Sequence, residues 1–238
     1  MFRNQAALIV TAFVALAANA CATREARPVS ALAVACPGGT VHSAVEAAGY
    51  AACDTVQGDL TIASSDLEDM SALSRLHEVT GTLTITGNPE LDDLGGLENL
   101  RRVGMLEVSH NPELKTLSGL DALTEADSVV IRANGIYTAR GLGELRQVGD
   151  LIIEGNHKLN SLSGVRSLKR ARSVTIQNNP ILCAIGMLPA LDGVDSRMLL
   201  RANRGISTRE AKLVLERAGQ SNDSPAFANA AGSRIARR

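Results

Sequence analysis

Apolar residues alternate with polar ones in short segments that recur along the chain. Gly81–Leu91 reads Gly-Thr-Leu-Thr-Ile-Thr-Gly-Asn-Pro-Glu-Leu, which is an apolar-x-apolar strand, a turn marked by an asparagine, and an apolar residue after the turn. Similar segments begin at Gly104, Asp150 and Ser173. In a strand such alternation places the apolar side chains on one face and the intervening residues on the other. The pattern therefore predicts a series of strands with one buried face.

Two columns of this pattern keep the same spacing, with intervals of 22–24 residues. The inward strand column is Ile62, Ile85, Val108, Ile131, Ile153, Ile176 and Leu200, and the asparagine column is Asn88, Asn111, Asn134, Asn156, Asn179 and Asn203. A period of roughly 20–30 residues is typical of a solenoid, in which each coil buries its apolar face on its neighbours. The sequence thus predicts an α/β fold, a right-handed parallel β-solenoid of about seven coils.

The six asparagines in register predict a hydrogen-bonded ladder. A tight coil leaves backbone N–H and C=O groups pointing inward at its corners, and an asparagine amide can both donate and accept. The alternative is that asparagine merely tolerates the turn conformation. In the first coil Ser64 and Ser65 stand in place of the asparagine.

Both ends of the solenoid are predicted to carry helical caps. Thr40–Ala48 is read as a short helix before the first strand, Val56–Ile62, with its apolar residues on one side (Val41, Ala44, Val45 and Ala48). At the other end Ser207 and Glu210 form a capping-box pattern. The helix that follows has one apolar face (Ala211, Val214, Leu215 and Ala218) and ends at Gly219.

The segments outside the repeats have different compositions. Residues 1–20 combine Arg3, the almost wholly apolar run Ala6–Ala18, and the small-x-small sequence Ala18-Asn19-Ala20, which predicts a secretory signal peptide. Residues 21–35 are predicted to be a flexible tether and residues 220–238 a disordered tail, leaving residues 36–219 for the solenoid.

The pattern V-x-G-x-L-x-I-x-x-N-P-x-L at Val79–Leu91, with L-x-G-L-x-x-L between strands, resembles the receptor L-domain. This leucine-rich-repeat-like family supplies ligand-binding solenoids in insulin- and growth-factor-receptor ectodomains and occurs in bacterial surface proteins. The resemblance covers about Cys36 to Gly219. It implies a disulfide-bonded cap at the N-terminal end, where Cys36 and Cys53 stand; two free thiols are the alternative. Cys183 is interpreted as a small buried apolar residue.

Cys21 directly follows the predicted cleavage site, as in bacterial lipoproteins. This resemblance implies a lipid on Cys21, and Ala22 and Thr23 then look like an outer-membrane address. Ala18 replaces the branched residue usual three positions before the cysteine. The alternative is plain secretion, to the periplasm or beyond the cell.

Composition and motifs exclude several function classes. The 24 basic and 25 acidic residues give a net charge of −1, which excludes a strongly basic nucleic-acid-binding protein and gives no attraction to anionic membranes. No catalytic or phosphate-binding motif is present, and the histidines His110 and His157 occupy different columns of the repeat. We therefore predict no catalytic residues, no metal and no cofactor.

The outward strand face is the predicted binding surface. Its central column is Thr61, Thr84, Glu107, Val130, Ile152, Thr175 and Leu199. Glu107 and Glu154 are two coils apart, about 10 Å, which is beyond even the roughly 9.5 Å limit of inverting glycosidases. An enzyme is thus disfavoured. The candidate binding residues are Glu107, Val130, Arg132, Ile152, Glu154, Leu199 and Arg201.

Together these features predict an exported, lipid-anchored module of the bacterial cell envelope or surface. It binds an envelope or extracellular protein or glycan through its strand face, and contacts the membrane only through its lipid. The alternatives are a structural envelope protein without a discrete ligand and, third, a polysaccharide-active solenoid enzyme.

Overall fold

Stacked parallel strands dominate the computed structural model, which describes residues 33–183, 185, 191 and 193–219. The strands are β1 Ala35–Val41, β2 Thr55–Ala63, β3 Glu78–Thr86, β4 Arg102–Ser109, β5 Glu125–Arg132, β6 Gln147–Glu154, β7 Arg170–Gln177 and β8 Gly193–Arg201. The helices are α1 Ala44–Ala48 and α2 Thr208–Arg217, with 3₁₀ turns at Ser71–Leu73 and Ser163–Val165. The strands form one parallel sheet in chain order, which confirms the predicted solenoid with a period of about 23 residues.

The core is built from columns of apolar side chains that pair in register from coil to coil. Leu83, Leu106 and Val129 are cross-strand partners, as are Ile85, Val108 and Ile131. Every member of the predicted inward column, from Ile62 to Leu200, is at most 1% exposed. Because each coil is too thin to bury these side chains alone, stacking supplies the core.

The strands bend near their first residues, where they carry a third column of buried side chains. Val103 and Leu106 are both buried, yet they are three positions apart. Strict alternation buries residues an even number of positions apart. The strand must therefore leave regular geometry between them.

The six asparagines form a continuous ladder. The side-chain oxygen of each accepts a hydrogen bond from the backbone N–H one coil earlier, at 3.0–3.1 Å. Each amide donates to the carbonyl of an inward strand residue of an earlier coil, at 2.7–3.2 Å. All six side chains are buried. Ser65 occupies the ladder position in the first coil, where its N–H and its hydroxyl both donate to Asn88.

Glycine is required at one corner of the middle coils. Gly119 has φ +108°, and a Cβ there would collide with the carbonyl of Leu94 in the preceding coil. Gly96 and Gly141 repeat this geometry one coil to either side. The coils approach each other too closely at this corner for any other residue.

The N-terminal cap differs from the prediction. Thr40 and Val41 belong to β1, so the sheet begins one strand earlier than Val56–Ile62, and α1 is only Ala44–Ala48. Val45, which was predicted to lie on the apolar side of the helix, is 84% exposed, whereas Ala47 is buried. The helical prediction was wrong for Thr40 and Val41, because they pair with β2 and this pairing outweighs local helix propensity; it holds for Ala44–Ala48.

A disulfide and a carboxylate fix the start of the ordered chain. Cys36 and Cys53 form a disulfide with Cα atoms 5.7 Å apart, which joins β1 to the turn before β2. Asp54 accepts a hydrogen bond from the N–H of Val34 at 2.7 Å and pairs with Arg75 at 3.0 Å. The pKa of the Asp54 carboxyl is lowered, first by the bond from Val34 and then by Arg75.

The C-terminal cap follows the prediction, but Cys183 does not. The hydroxyl of Ser207 accepts from the N–H of Glu210 at 3.2 Å, and the apolar side of α2 (Ala211, Val214, Leu215) is buried. Cys183 is an exposed free thiol rather than a buried apolar residue, because it lies on the outside of the coil beside Asn160. Across the described part of the chain, no helix is both long and apolar enough to span a bilayer.

Candidate functional site

The outward column of the sheet pairs as the alternation predicted. Glu107 in β4 lies beside Val130 in β5, and Val130 lies beside Ile152 in β6. Thr175 in β7 follows, and then Leu199 in β8. Neighbouring strands are about 4.8 Å apart, so these side chains form one row across the sheet.

Val130 and Ile152 form the apolar centre of this row. Val130 is only 5% exposed, although it is not part of the hydrophobic core. Its neighbours on the outer surface therefore cover it. Ile152 is partly exposed beside it. Ile152 therefore supplies the apolar surface that reaches solvent at the middle of the strand face, and Val130 lies beneath it. The pair is flanked by Thr84 and Glu107 on one side and Thr175 on the other.

An ordered polar row borders the apolar pair. Arg132 Nε lies 3.3 Å from Glu154 Oε2 on the next strand. The side-chain amide of Gln177 donates to the other oxygen of Glu154 at 2.7 Å. Because Glu154 is held from both sides, this edge is organised in the absence of a ligand.

Two of the predicted binding residues lie apart from this centre. Leu199 is two strands away from Ile152, with Thr175 between them. Arg201 is separated from Glu154 in the same way by Gln177. The structure brings together Glu107, Val130, Ile152, Arg132 and Glu154, while Leu199 and Arg201 border the C-terminal edge of the face.

The opposite border of the strand face carries a second ion pair. Asp150 accepts hydrogen bonds from Arg172 and from the hydroxyl of Ser173, the latter at 2.6 Å. These bonds, first that of Arg172 and then that of Ser173, lower the pKa of the Asp150 carboxyl. Asp150 is therefore a carboxylate at neutral pH.

Beyond Asp150 lies a groove that the sequence reasoning missed. It has a volume of about 590 Å³ and crosses the starts of β3 to β8. The charged and polar residues that line it are Glu78, Arg102, Glu125, Asp127, Gln147, Arg170, Arg172 and Asp195. The signal was present in the sequence as a charged residue directly before or after the first buried residue of most strands, but the columns considered began further along each strand.

No metal-binding arrangement is present in the described ranges, where no group of three or more histidine, cysteine, aspartate or glutamate side chains converges. The structure thus offers two surfaces for recognition: the strand face with its apolar centre, and the charged groove at the strand starts.

Comparison with known proteins gives one match. Residues 52–159 match the family model described as Receptor L domain, a segment that runs from the turn before β2 past the end of β6. No curated protein and no solved structure matches the chain significantly. The match includes the apolar pair and both residues of the Arg132–Glu154 bridge.

Proposed function

We propose that the chain is an exported protein that binds a protein partner on its strand face, because residues 52–159 match the model of the Receptor L domain, a family of ligand-binding modules. The observation that carries the proposal is the apolar pair Val130 and Ile152, which lies outside the core and is bordered by the Arg132–Glu154 bridge. An apolar centre with a polar rim is the usual anatomy of a protein–protein interface.

The geometry favours a protein partner over a glycan. Val130 and Ile152 are aliphatic, and the two tyrosines of the described residues, Tyr50 and Tyr137, do not lie in this row. Burial of aliphatic surface contributes roughly 25 cal/mol per Å² to the free energy of binding, so it favours a partner whose own surface is apolar. Glu154, held by Arg132 and Gln177, needs little rearrangement on binding, which lowers the entropic cost of association.

The binding face is tested with one substitution on it and one matched substitution elsewhere. Ile152→Arg places a charge at the apolar centre and leaves no cavity in the core, so the fold is retained while partner capture is lost. Ile181→Arg is the control, because Ile181 is 51% exposed and lies on a turn outside the strand face. Each variant is used as bait in an envelope extract, and the unfolding midpoint is measured in parallel.

The expected result is a protein that is captured by the wild type and by Ile181→Arg but not by Ile152→Arg. Equal capture by all three contradicts the strand-face proposal. Capture that survives complete proteolysis of the extract contradicts a protein partner and favours a glycan. Unfolding of Ile152→Arg at a much lower denaturant concentration would mean that Ile152 faces the core.

We also propose that Cys21 carries a lipid that anchors the protein to the envelope. The support comes from the sequence, where an apolar run and a small-x-small site precede Cys21; these positions lie outside the described residues. The Cys36–Cys53 disulfide is typical of exported proteins, and lipidation of Cys21 also requires export.

Cys21→Ser is expected to release the protein from the membrane fraction into the soluble fraction. Cys183→Ser is the control, because Cys183 is an exposed thiol of the solenoid. Membrane fractionation that is the same for Cys21→Ser and Cys183→Ser contradicts the anchor and leaves plain secretion.

A further inference from the structure

The groove at the strand starts has a defined length and direction. We call it the strand-start groove; Glu78 in β3 marks one end and Asp195 in β8 the other. It crosses five strand-to-strand steps, which at about 4.8 Å each gives roughly 24 Å. An extended polypeptide advances about 3.3 Å per residue, so about seven residues span it.

The charges in the groove are only partly paired. Arg102 lies 3.7 Å from Glu125, and Arg172 is hydrogen-bonded to Asp150. The other charged side chains lining the groove are the carboxylates Glu78, Asp127 and Asp195 and the guanidinium of Arg170. Within the described part of the chain, none of these four side chains makes a hydrogen bond or an ion pair within 4.0 Å, although Asp127 is near enough to Arg172 to raise its pKa, after the larger effect of Asp150. Three acids against one base leave a net charge of −2.

The described chain ends beside the groove. The carbonyl of Ala218, just after α2, accepts a hydrogen bond from the N–H of Val194 at 3.3 Å. Val194 directly precedes Asp195, which lines the β8 end of the groove. Gly219 is the last described residue, so the segment that follows begins at the mouth of the groove.

The segment 220–238 has a net charge opposite to that of the groove. It contains Asp223 near its start and Arg234, Arg237 and Arg238 further on, which gives +3 − 1 = +2. In the groove, the acid Asp195 and the base Arg170 lie at the β8 end or one strand from it, whereas Asp127 is three strands away and Glu78 five. The arginines, which come late in the segment, are therefore the residues that can reach the distant acids Asp127 and Glu78.

The segment is also long enough. Asp127 lies about 14 Å and Glu78 about 24 Å from β8, from the strand spacing. Arg234 is fifteen positions beyond Gly219, a stretch that spans up to roughly 50 Å when extended. We infer that residues 220–238 of this chain bind in the strand-start groove, with their arginines against Asp127 and Glu78.

Such an arrangement makes the groove a self-occupied site. Any basic polypeptide segment offered by another molecule must displace the chain's own segment, which lowers its apparent affinity. Salt screens solvent-exposed ion pairs, so the fraction of molecules whose groove is occupied by residues 220–238 falls as ionic strength rises. The inference is independent of the strand-face proposal, since neither the apolar pair nor the Arg132–Glu154 bridge lines the groove.

Trypsin cleavage after Arg234 in the full chain tests the inference. The rate of loss of residues 235–238 is followed by mass spectrometry and compared with cleavage of the same bond in a synthetic peptide of residues 220–238. Cleavage of a bond protected by a reversible contact is slowed by the fraction of time spent in the contact. At about 20 mM salt we expect cleavage in the full chain to be at least about tenfold slower than in the peptide, with the difference lost near 0.5 M salt.

Charge reversal in the groove identifies where the segment binds. Glu78→Lys and Asp127→Lys, singly and together, are expected to raise the cleavage rate toward that of the peptide. Glu90→Lys is the control, because Glu90 is an exposed acid in a turn outside the groove. Equal cleavage of the full chain and the peptide at low salt overturns the inference and leaves the groove open to a basic partner. Protection that persists in the double variant places the segment elsewhere and overturns it as well.

Discussion

The two sides of the same strands follow different rules. Inward positions repeat as Ile, Val or Leu from Ile62 to Leu200, each at most 1% exposed. Outward positions one residue away read Thr, Thr, Glu, Val, Ile, Thr and Leu. Stacking constrains the inward side in every coil, because each coil must match its two neighbours. The outward side meets only solvent or a partner, so it is where specificity can be encoded.

Ile152 and Ile153 allow the two sides to be compared with adjacent residues of the same type, because Ile152 faces outward and Ile153 faces the core. Ile153→Ala is expected to cost about 2–5 kcal/mol of unfolding free energy, since it removes buried methyl groups and leaves a cavity. Ile152→Ala removes the same atoms from the outward face and is expected to cost less than about 1 kcal/mol. Urea denaturation of both variants gives the difference. Similar midpoints for the two variants would mean that both faces are equally packed.

The corner glycines test the inward constraint at the backbone. Gly119→Ala combines a positive φ with a collision against the carbonyl of Leu94, and it is expected to cost about 2–4 kcal/mol. Gly155→Ala is the matched control, with φ +67° but a nearest neighbour, Ala133 N, at 3.9 Å. It carries backbone strain alone and should cost about 1 kcal/mol. Thermal unfolding distinguishes the two, and equal losses would show that the approach of the coils is not limiting.

Each asparagine of the ladder is expected to contribute less to the unfolding free energy than a core isoleucine or a corner glycine. Asn111→Ala leaves the N–H of Asn88 and the carbonyl of Ile85 without their side-chain partners, at a cost of about 1–3 kcal/mol. Asn134→Ala should cost a similar amount, because its coil is irregular in sequence but its two ladder bonds are intact. Asn160→Ala, an exposed position, should stay within about 0.5 kcal/mol. An Asn111→Ala midpoint equal to that of Asn160→Ala would contradict the ladder's contribution.

The sequence predicts the inward side well because that side repeats. The period, the register and the ladder all follow from columns such as Ile85, Val108 and Ile131 that stacking keeps uniform. The ends are predicted less well, since β1 and α1 occur once and have no second copy to reveal a pattern. Cys183 was misread for the same reason: one cysteine at an outer position of one coil carries no periodic signal.

The candidate site was predicted only in part, for a related reason. Alternation gives the outward direction of Val130 and Ile152, but it gives no information about depth, so the burial of Val130 by its neighbours was not foreseen. The strand-start groove depends on where each strand bends between residues such as Val103 and Leu106. Local alternation does not determine that bend. Outer features therefore needed the three-dimensional structure.

Asp150 on the outward side is expected to have the smallest effect on stability. Its effect depends on pH, because its carboxyl titrates and the amides of the inward asparagine ladder do not. Its pKa is lowered by the hydrogen bonds from Arg172 and Ser173. A carboxyl whose pKa is lower in the folded than in the unfolded state stabilises the fold above the unfolded value, near 3.9. That contribution disappears as pH falls through the folded pKa. For a partly exposed ion pair the contribution is below about 1 kcal/mol.

Asp150→Asn is therefore expected to be slightly less stable than the wild type at pH 7, and the gap between the two should narrow progressively below about pH 4. The gap between Asn111→Ala and the wild type should stay constant over the same range, because the ladder contacts contain no titrating group. Urea denaturation at pH 7, 4 and 3 measures both gaps on the same protein. A gap for Asp150→Asn that persists unchanged to pH 3 would mean that the carboxylate charge contributes nothing and that only the geometry of its hydrogen bonds matters. If the difference in stability between Asn111→Ala and the wild type disappears at low pH, the ladder is coupled to a titrating group. The inward and outward sides would then not differ in their response to pH.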